Sequence, residues 1–181
     1  TVTIIGTDDV PVIDTAAPVA VEITTDGLKE DSDSVATSNS PAQLQNLDAT
    51  GSLLVTDVDV GDILTGTTTG AATIKWDGTT VDTGVDGRFD KLILATNLTF
   101  DAPATSDGTQ QTLNYTYAVT GADLNFLAEG DVVEVTFPVQ VDDGVSADSQ
   151  VATSMVTVTI IGTDDVPVID TAAPVAVEIT T

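Results

Sequence analysis

The chain has 181 residues, of which 29 are aspartate or glutamate and four are lysine or arginine, so its formal net charge is −25. This charge excludes nucleic acid as a partner and opposes binding to an anionic membrane, whereas it attracts cations. The chain contains no cysteine and no histidine, which excludes disulfides and the usual nitrogen and sulfur ligands of zinc, copper and iron. No apolar run approaches the roughly 20 residues that span a bilayer, so no direct membrane insertion is predicted.

Residues 1–25 recur letter for letter as residues 157–181, at an offset of 156 residues. Such a recurrence indicates one full period of a tandem array and the start of the next period. We therefore predict three parts: residues 1–10 are the last strand and linker of a preceding repeat, residues 11–166 form one complete repeat, and residues 167–181 are the first strand segment of the next repeat. Because the units of such arrays contact mainly their neighbours, the recurrence favours a mechanical or spatial role.

Apolar and polar residues alternate along most of the chain, with clusters of Gly, Asp, Asn, Ser and Thr between the alternating runs. This pattern predicts an all-β chain. In chain order the predicted strands are residues 12–13 or 19–23, 53–58, 71–76, 91–94, 113–119, 133–141 and 156–161. Residues 122–127 are the best candidate for a short helix, and no helical crossover is indicated. We therefore predict an immunoglobulin-like antiparallel β-sandwich of about seven to nine strands.

Three features depart from the regular strand pattern. Residues 25–46 and 101–111 are weakly patterned, and we predict that both are surface loops. Pro138 lies inside a strand pattern, and because proline has no N–H to donate, it predicts an edge strand or a bulge. Residues 1–7 have the sequence of the closing strand without a sheet of their own, so we expect them to fray, to pair with a neighbouring molecule or to replace an equivalent strand.

Carboxylates concentrate at turn-like positions. They form four groups: Asp8 and Asp9 of the linker; Asp57, Asp59 and Asp62; Asp142 and Asp143; and Glu129 and Asp131, with Glu30 and Asp31 as further candidates. Hard oxygen ligands in this number suit Ca²⁺, which takes about six to eight of them, whereas Mg²⁺ takes fewer carboxylates and keeps its waters. The sequence therefore predicts Ca²⁺ sites.

Other interpretations of these carboxylates remain open. Each Asp-Gly or Asp-x-Asp taken alone is ordinary turn chemistry. The acidic surface of a halophile is another alternative, although it would scatter carboxylates rather than cluster them. The segment from Asp57 to Asp62 begins like a helix–loop–helix calcium loop, but Thr68 stands where that loop needs a bidentate glutamate, so this motif is rejected.

Three stretches together resemble the cadherin-like repeats of giant bacterial RTX-type adhesins: residues 51–62 (GSLLVTDVDVGD), 127–144 and 156–169 (VTVTIIGTDDVPVI). Residues 63–122 match only loosely. The resemblance implies Ca²⁺ shared between domains at each junction. The residues it implies are Asp8, Asp9, Asp57, Asp59 and Asp143 at one end, and Glu129 with Asp164 and Asp165 at the other.

Two departures from the family pattern leave details open. Residues 127–129 keep only the Glu of the family's Asp-Arg-Glu element, and the linker is Thr-Asp-Asp-Val-Pro rather than the fuller Asp-x-Asn-Asp-x-Pro. The number of ions is therefore open. So is the glutamate at the base of the site, for which the alternatives are Glu22, Glu30 or neither.

We therefore predict an extracellular, calcium-rigidified extender repeat of a bacterial cell-surface adhesin, whose partners are adjacent identical repeats and which has no small-molecule substrate. The alternative is a calcium-dependent carbohydrate- or protein-binding module, for which Trp76 is either a contact residue or a core or strand-edge residue. An enzyme is not expected. Without His or Cys, acid–base chemistry would rest on carboxylates, Lys, Tyr115 or Tyr117, and the carboxylate pairs that a glycosidase needs lie in linker and turn patterns.

Overall fold

The computed structural model describes residues 1–3, 5–14, 20–24, 45–83, 87–122, 124, 126–145 and 150–162. The strands in these residues are β1 Val12–Ile13, β2 Ala20–Thr24, β3 Gln45–Thr56, β4 Ile63–Thr68, β5 Thr73–Trp76, β6 Thr79–Thr80, β7 Leu98–Phe100, β8 Ala104–Thr105, β9 Gln110–Ala122, β10 Val132–Asp142 and β11 Val151–Ile161. Two 3-10 helices, Gly87–Phe89 and Ala95–Asn97, complete the described elements. Within this part of the chain no helix is long and apolar enough to cross a membrane.

The strands form two sheets that pack as a sandwich, which confirms the predicted fold class. One sheet has the order β1-β3-β9-β7, and the other has the order β2-β11-β10-β4-β8, with β5 also paired to β10 and β6 paired to β5. All described pairs are antiparallel except that of β2 with β11, in which Ala20–Thr24 runs parallel to Thr157–Ile161. The strand count exceeds the predicted range because β1, β6 and β8, of two residues each, are too short to show a period.

The core lies between the two sheets and follows from the period-2 pattern. In β10 every second residue from Val133 to Val141 is buried, and the residues between them are partly exposed. Val156, Val158 and Ile160 of β11 continue this buried face in the same sheet. The facing side chains come from the long strands of the other sheet: Leu47, Leu53, Val55, Leu113, Tyr115, Tyr117 and Val119. Gly51 of β3 leaves room for the Tyr115 ring, which a Cβ at this position would meet.

Entry and exit of the chain lie at opposite ends of the sandwich. The linker reaches the end where β10 finishes, since Gln150, just before β11, donates from Nε2 to the Asp8 carbonyl at 2.9 Å. The chain leaves at the other end, where Ile161 pairs with Val132. The described residues of the segment 1–7 form no strand. The division into repeat units itself stays a prediction.

Two local predictions were wrong. Residues 91–94 form turns rather than a strand, because Phe89 and Leu92, three residues apart, are both buried and the Leu92 N–H donates to the Phe89 carbonyl at 2.9 Å. In the stretch 122–127, Ala122 ends β9 and the Leu127 N–H donates to the Leu124 carbonyl at 3.0 Å. This is a turn that buries both leucines, so the described residues of the stretch form no helix.

Pro138 does not lie on an edge strand, since β10 has β11 on one side and β4 and β5 on the other. It lies at the gap between these two partners, because β5 pairs as far as Thr136 and β4 pairs from Val139. No bulge interrupts the pairing with β11, in which Pro138 faces Met155. A proline is therefore tolerated here because the neighbouring strand changes.

The two predicted loops contain more strand than expected. Residues 101–111 include β8 and the first residues of β9, and β3 begins at Gln45, inside the predicted loop 25–46. The rest of that loop lies outside the described residues. Both candidates for the first strand, residues 12–13 and residues 19–23, correspond to strands, namely β1 and β2, which belong to different sheets.

Candidate metal centre

Three chain segments meet at the end of the sandwich where the linker arrives: the linker itself, the loop between β3 and β4, and the turn after β10. Asp57 follows β3, Asp62 precedes β4, and Asp143 follows β10. The linker adds Asp8. We call this region, residues 8–9, 57–62 and 142–145, the acidic end; its carboxylates come together because β3 and β10, from opposite sheets, finish at the same end of the sandwich.

The carboxylates of the acidic end are close enough to share a cation. Asp8, Asp59 and Asp62 each place one oxygen within 4.8 Å of the others. Asp8 also experiences the negative charges of Asp57 and Asp143. The structure therefore gathers five of the predicted ligand residues, from the linker, one loop and one turn.

The most informative feature is a set of buried oxygens that receive no hydrogen bond from the protein. Asp57 and Asp143 are each 1% exposed. In both, Oδ1 accepts a backbone N–H, from Asp59 at 3.1 Å and from Val145 at 2.9 Å. Oδ2 of both residues is buried and unpaired, as is Oδ2 of Asp8 and of Asp62. An unpaired buried carboxylate is costly, and these four oxygens are free of protein donors and so available to ligate a cation.

Electrostatic repulsion at the acidic end appears in two pKa values. Partial burial, followed by the charges of Asp143, Asp62, Asp59 and Asp57, raises the pKa of Asp8. Burial also raises the pKa of Asp57, and neighbouring charges add to the effect, although the hydrogen bond from the Asp59 N–H opposes it. The charged forms of both groups are therefore disfavoured until positive charge is supplied.

The loop from Asp57 to Asp62 is held in shape by Ser106, which is 1% exposed. Its Oγ donates to the Asp57 carbonyl at 2.8 Å, its N–H donates to the Asp62 carbonyl at 2.8 Å, and its carbonyl accepts the Gly61 N–H at 2.9 Å. Gly61 has φ 109°, which glycine adopts readily. Sequence reasoning missed Ser106, which lies 49 residues from Asp57; no spacing in the sequence links the two.

Asp9 contributes in a different way from the prediction. Its side chain is exposed, and its backbone N–H donates to Asp59 Oδ2 at 2.7 Å. Asp142, beside the buried Asp143, accepts the Gly144 N–H on Oδ1 at 2.7 Å and so closes its own turn. The linker therefore docks through one carboxylate, Asp8, and one peptide group.

The other predicted ligands do not join this cluster. Glu129 is exposed in the turn of residues 127–131, which we call the base turn, at the opposite end of the sandwich. There the Gly130 N–H donates to the Gly162 carbonyl at 3.0 Å, and the Gly162 N–H donates to the Asp131 carbonyl at 2.9 Å. Glu129 thus lies beside the point where the chain leaves the sandwich. Glu30, Asp164 and Asp165 lie outside the described residues.

Trp76 is packed within an aromatic cluster near the base turn. Its ring meets Phe89 and Phe126 edge to face, with centroids 5.9 and 5.5 Å away. The Arg88 guanidinium lies over the Phe126 ring at 4.4 Å and over the Trp76 ring at 5.2 Å. Of the two interpretations of Trp76, these contacts favour the strand-edge residue.

Comparisons with known proteins give little information on this chain. No protein-family model matches it, and no curated protein matches it. Among solved structures it is similar to the CooA pilin subunit from enterotoxigenic Escherichia coli, with 11% sequence identity, a TM-score of 0.37, and coverage of 87% of this chain and 99% of that one. A likeness at this TM-score supports no conclusion on function, so the proposals below rest on the chain's own residues.

Proposed function

We propose that this chain is a structural extender repeat of a bacterial cell-surface adhesin, stiffened by Ca²⁺ at the linkers between repeats. The observation that carries the proposal is the meeting of the linker carboxylate of Asp8 with four carboxylates of the sandwich, where four buried Oδ2 atoms have no donor. The resemblance to cadherin-like repeats of RTX-type adhesins agrees with it. The protein would act outside the cell, without catalysis, and would project a distal adhesion domain.

Calcium fits this donor set better than other metals do. The ligands are carboxylate oxygens, and Ca²⁺ accepts about six to eight oxygens at flexible geometry, whereas Mg²⁺ demands a near-octahedral shell and keeps its waters. Zinc and copper sites rely on the nitrogen and sulfur ligands that this chain lacks. Asp8, Asp57, Asp59, Asp62 and Asp143 would hold the ion or ions. The ion would supply the positive charge that these oxygens lack.

Stiffening follows from which parts of the chain supply the ligands. Asp8 belongs to the segment that we assign to the preceding repeat's linker, and the other four residues belong to the body of the sandwich. An ion bound by both groups stabilises the docked linker by its binding free energy. Because the chain enters and leaves at opposite ends, repeats joined in this way form a row. The eleven residues of β10 indicate about 35 Å of reach for each sandwich.

Thermal unfolding of the 181-residue chain tests the proposal. With calcium at about 100 times its Kd, binding to the folded state adds about 2.7 kcal/mol, which raises the midpoint by several degrees relative to excess chelator. Magnesium at the same ionic strength should not reproduce the rise. An equal midpoint in calcium and in chelator would mean that these carboxylates bind no calcium in the folded state.

A matched pair of variants locates the effect. Asp57→Asn removes a buried carboxylate of the acidic end and should abolish most of the calcium-dependent rise. Asp48→Asn makes the same change at an exposed position of β3 and should keep the rise. If both variants keep it, calcium binds elsewhere on the acidic surface and the proposed site is wrong.

A further inference from the structure

Exposed apolar side chains gather around the acidic end. In the loop from Asp57 to Asp62 the first aspartate is buried, whereas Val58 and Val60 are 61% and 76% exposed. Val10, Val12 and Ile63 are exposed at the same end. Among the described residues outside this end and the first five, the large apolar side chains with such exposure are Leu94 and Met155. A concentrated exposed apolar patch marks an interaction surface.

The linker length determines what can cover this patch. Gly6 occupies the same place in the duplicated sequence as Gly162, and two backbone hydrogen bonds hold Gly162 against the base turn. Only Thr7 separates Gly6 from Asp8, so the Cα atoms of Gly6 and Asp8 are at most about 7 Å apart. Asp8 lies at the acidic end. In a tandem array the base turn of the preceding repeat must therefore lie beside the acidic end of the next repeat.

We propose that Val58 and Val60 form a docking ridge for the base turn of the preceding copy of this repeat. The inference rests on the proposed function, because it requires a tandem array, and it adds a direct protein contact to the calcium-mediated one. The linker length selects this occupant, since among the described residues the base turn is hydrogen-bonded to Gly162, whose counterpart Gly6 lies two residues before Asp8.

The base turn has a shape and charge that suit this contact. Ala128 and Gly130 are small and exposed, and a Cβ built on Gly130 would meet nothing within 4 Å, so apolar side chains can approach the backbone there. Glu129 lies between them and brings a further negative charge toward the acidic end. A cation at the acidic end would offset that charge, so the valine contact and the proposed ion site lie at one joint. The valines limit the angle between repeats, and the ion holds the linker.

Cysteine protection tests the docking ridge directly, because the chain has no cysteine of its own. A tandem protein is made of residues 1–181 followed by residues 26–181. This order continues the natural repeat, since residues 157–181 have the sequence of residues 1–25. Val60→Cys is placed in the second unit of the tandem and, separately, in the single chain. The maleimide alkylation rate is then measured in calcium and in excess chelator.

We expect the Val60→Cys variant to be alkylated about fivefold more slowly in the tandem than in the single chain. This is the ratio for a joint that is docked, and so protected, about four-fifths of the time. Met155→Cys in the second unit is the control, because Met155 is 60% exposed on β11, away from the joint; its rate should be the same in both proteins. Protection in either buffer supports the ridge. Equal rates for Val60→Cys in the tandem and the single chain, in both buffers, overturn it.

This result is distinguishable from failure of the proposed function. The calcium-dependent midpoint of the single chain reports on the ion site without a second repeat. If the midpoint depends on calcium and Val60→Cys is not protected, the extender function is supported and the docking ridge is wrong. If Val60→Cys is protected and the midpoint of the single chain does not depend on calcium, the docking ridge is supported and the calcium-stiffened joint is wrong.

Discussion

Residues 1–6 and 157–162 have the same sequence, Thr-Val-Thr-Ile-Ile-Gly, and different structures. In the second copy Thr157–Ile161 lies in β11, between β2 and β10, and Val158 is fully buried. In the first copy the described residues form no strand, and Val2, the counterpart of Val158, is 90% exposed. The difference teaches that this sequence becomes a strand when neighbouring strands and an apolar face receive it, since β-propensity depends strongly on context.

The comparison also explains why residues 1–6 carry exposed apolar side chains. Val2 and Ile5 are 90% and 84% exposed in this segment, whose described residues form no strand. Their exposure is explained if the segment is the closing strand of a preceding sandwich, as its sequence predicts. Its structure in this chain is then that of a strand without its sheet. On the proposed function, Asp8 is the point where one repeat binds the next.

The largest expected effect comes from one substitution made in both copies. Val158→Asp places a charge in the core with no partner, and we expect it to cost at least about 4 kcal/mol of unfolding free energy. Val2→Asp makes the same chemical change on an exposed segment and should stay within about 0.5 kcal/mol of the parent. Denaturant unfolding of both variants measures the two values. A similar large loss for Val2→Asp would show that residues 1–6 pack against the sandwich in solution.

The second largest expected effect is a difference between the two copies of the linker in how a substitution changes the response to calcium. Asp8→Asn removes a carboxylate that meets the four others of the acidic end, so it should strongly reduce the calcium-dependent rise of the thermal midpoint. Asp164→Asn is the same change in the same sequence, but the loops that would meet it belong to a following repeat. In the 181-residue chain it should leave the rise unchanged. Equal effects of the two variants would place the calcium sites outside the joint with the preceding linker.

The sandwich could be predicted from the sequence because apolar and polar residues alternate along its long strands, whose apolar faces all pack into a single core. Val133 to Val141 follow this rule without interruption, and they are buried as the pattern requires. The run 91–94 was also predicted as a strand and is apolar after Lys91. It forms turns, because a run of four residues is too short to separate a strand from a turn that buries Phe89 and Leu92. The parallel pairing of β2 with β11 is a long-range contact that no local pattern contains.

The candidate site was predictable to the extent that its residues lie at strand ends. Asp57, Asp62 and Asp143 each adjoin a strand, and the resemblance to cadherin-like repeats placed the linker with them. The roles within the site were not predictable, because they depend on backbone direction. Asp9 donates its N–H to Asp59 with its side chain exposed, and Ser106 holds the loop from a distant segment.

The smallest effect is a pH dependence of the metal-free chain that distinguishes the same two linker residues. The pKa of Asp8 in the folded chain is raised from an ordinary value of 3.8, so between these two values the folded state binds more protons than the unfolded state. Stability therefore falls as pH rises through this interval. Hydrogen bonds from Thr109 lower the pKa of Asp107. The contribution of Asp107 to stability therefore has the opposite sign and changes only at pH values below 3.8.

In excess chelator we therefore expect the thermal midpoint to rise as pH falls from about 7 toward 3.8. Asp8→Asn should weaken this gain, because the group that takes up the proton is absent, and at about pH 7 it should be more stable than the parent since it removes repulsion. Asp164→Asn carries the same change in net charge and should keep the gain in full. If the two variants have the same pH dependence, the effect comes from the overall acidity of the chain, and Asp8 is not held against the other carboxylates in solution.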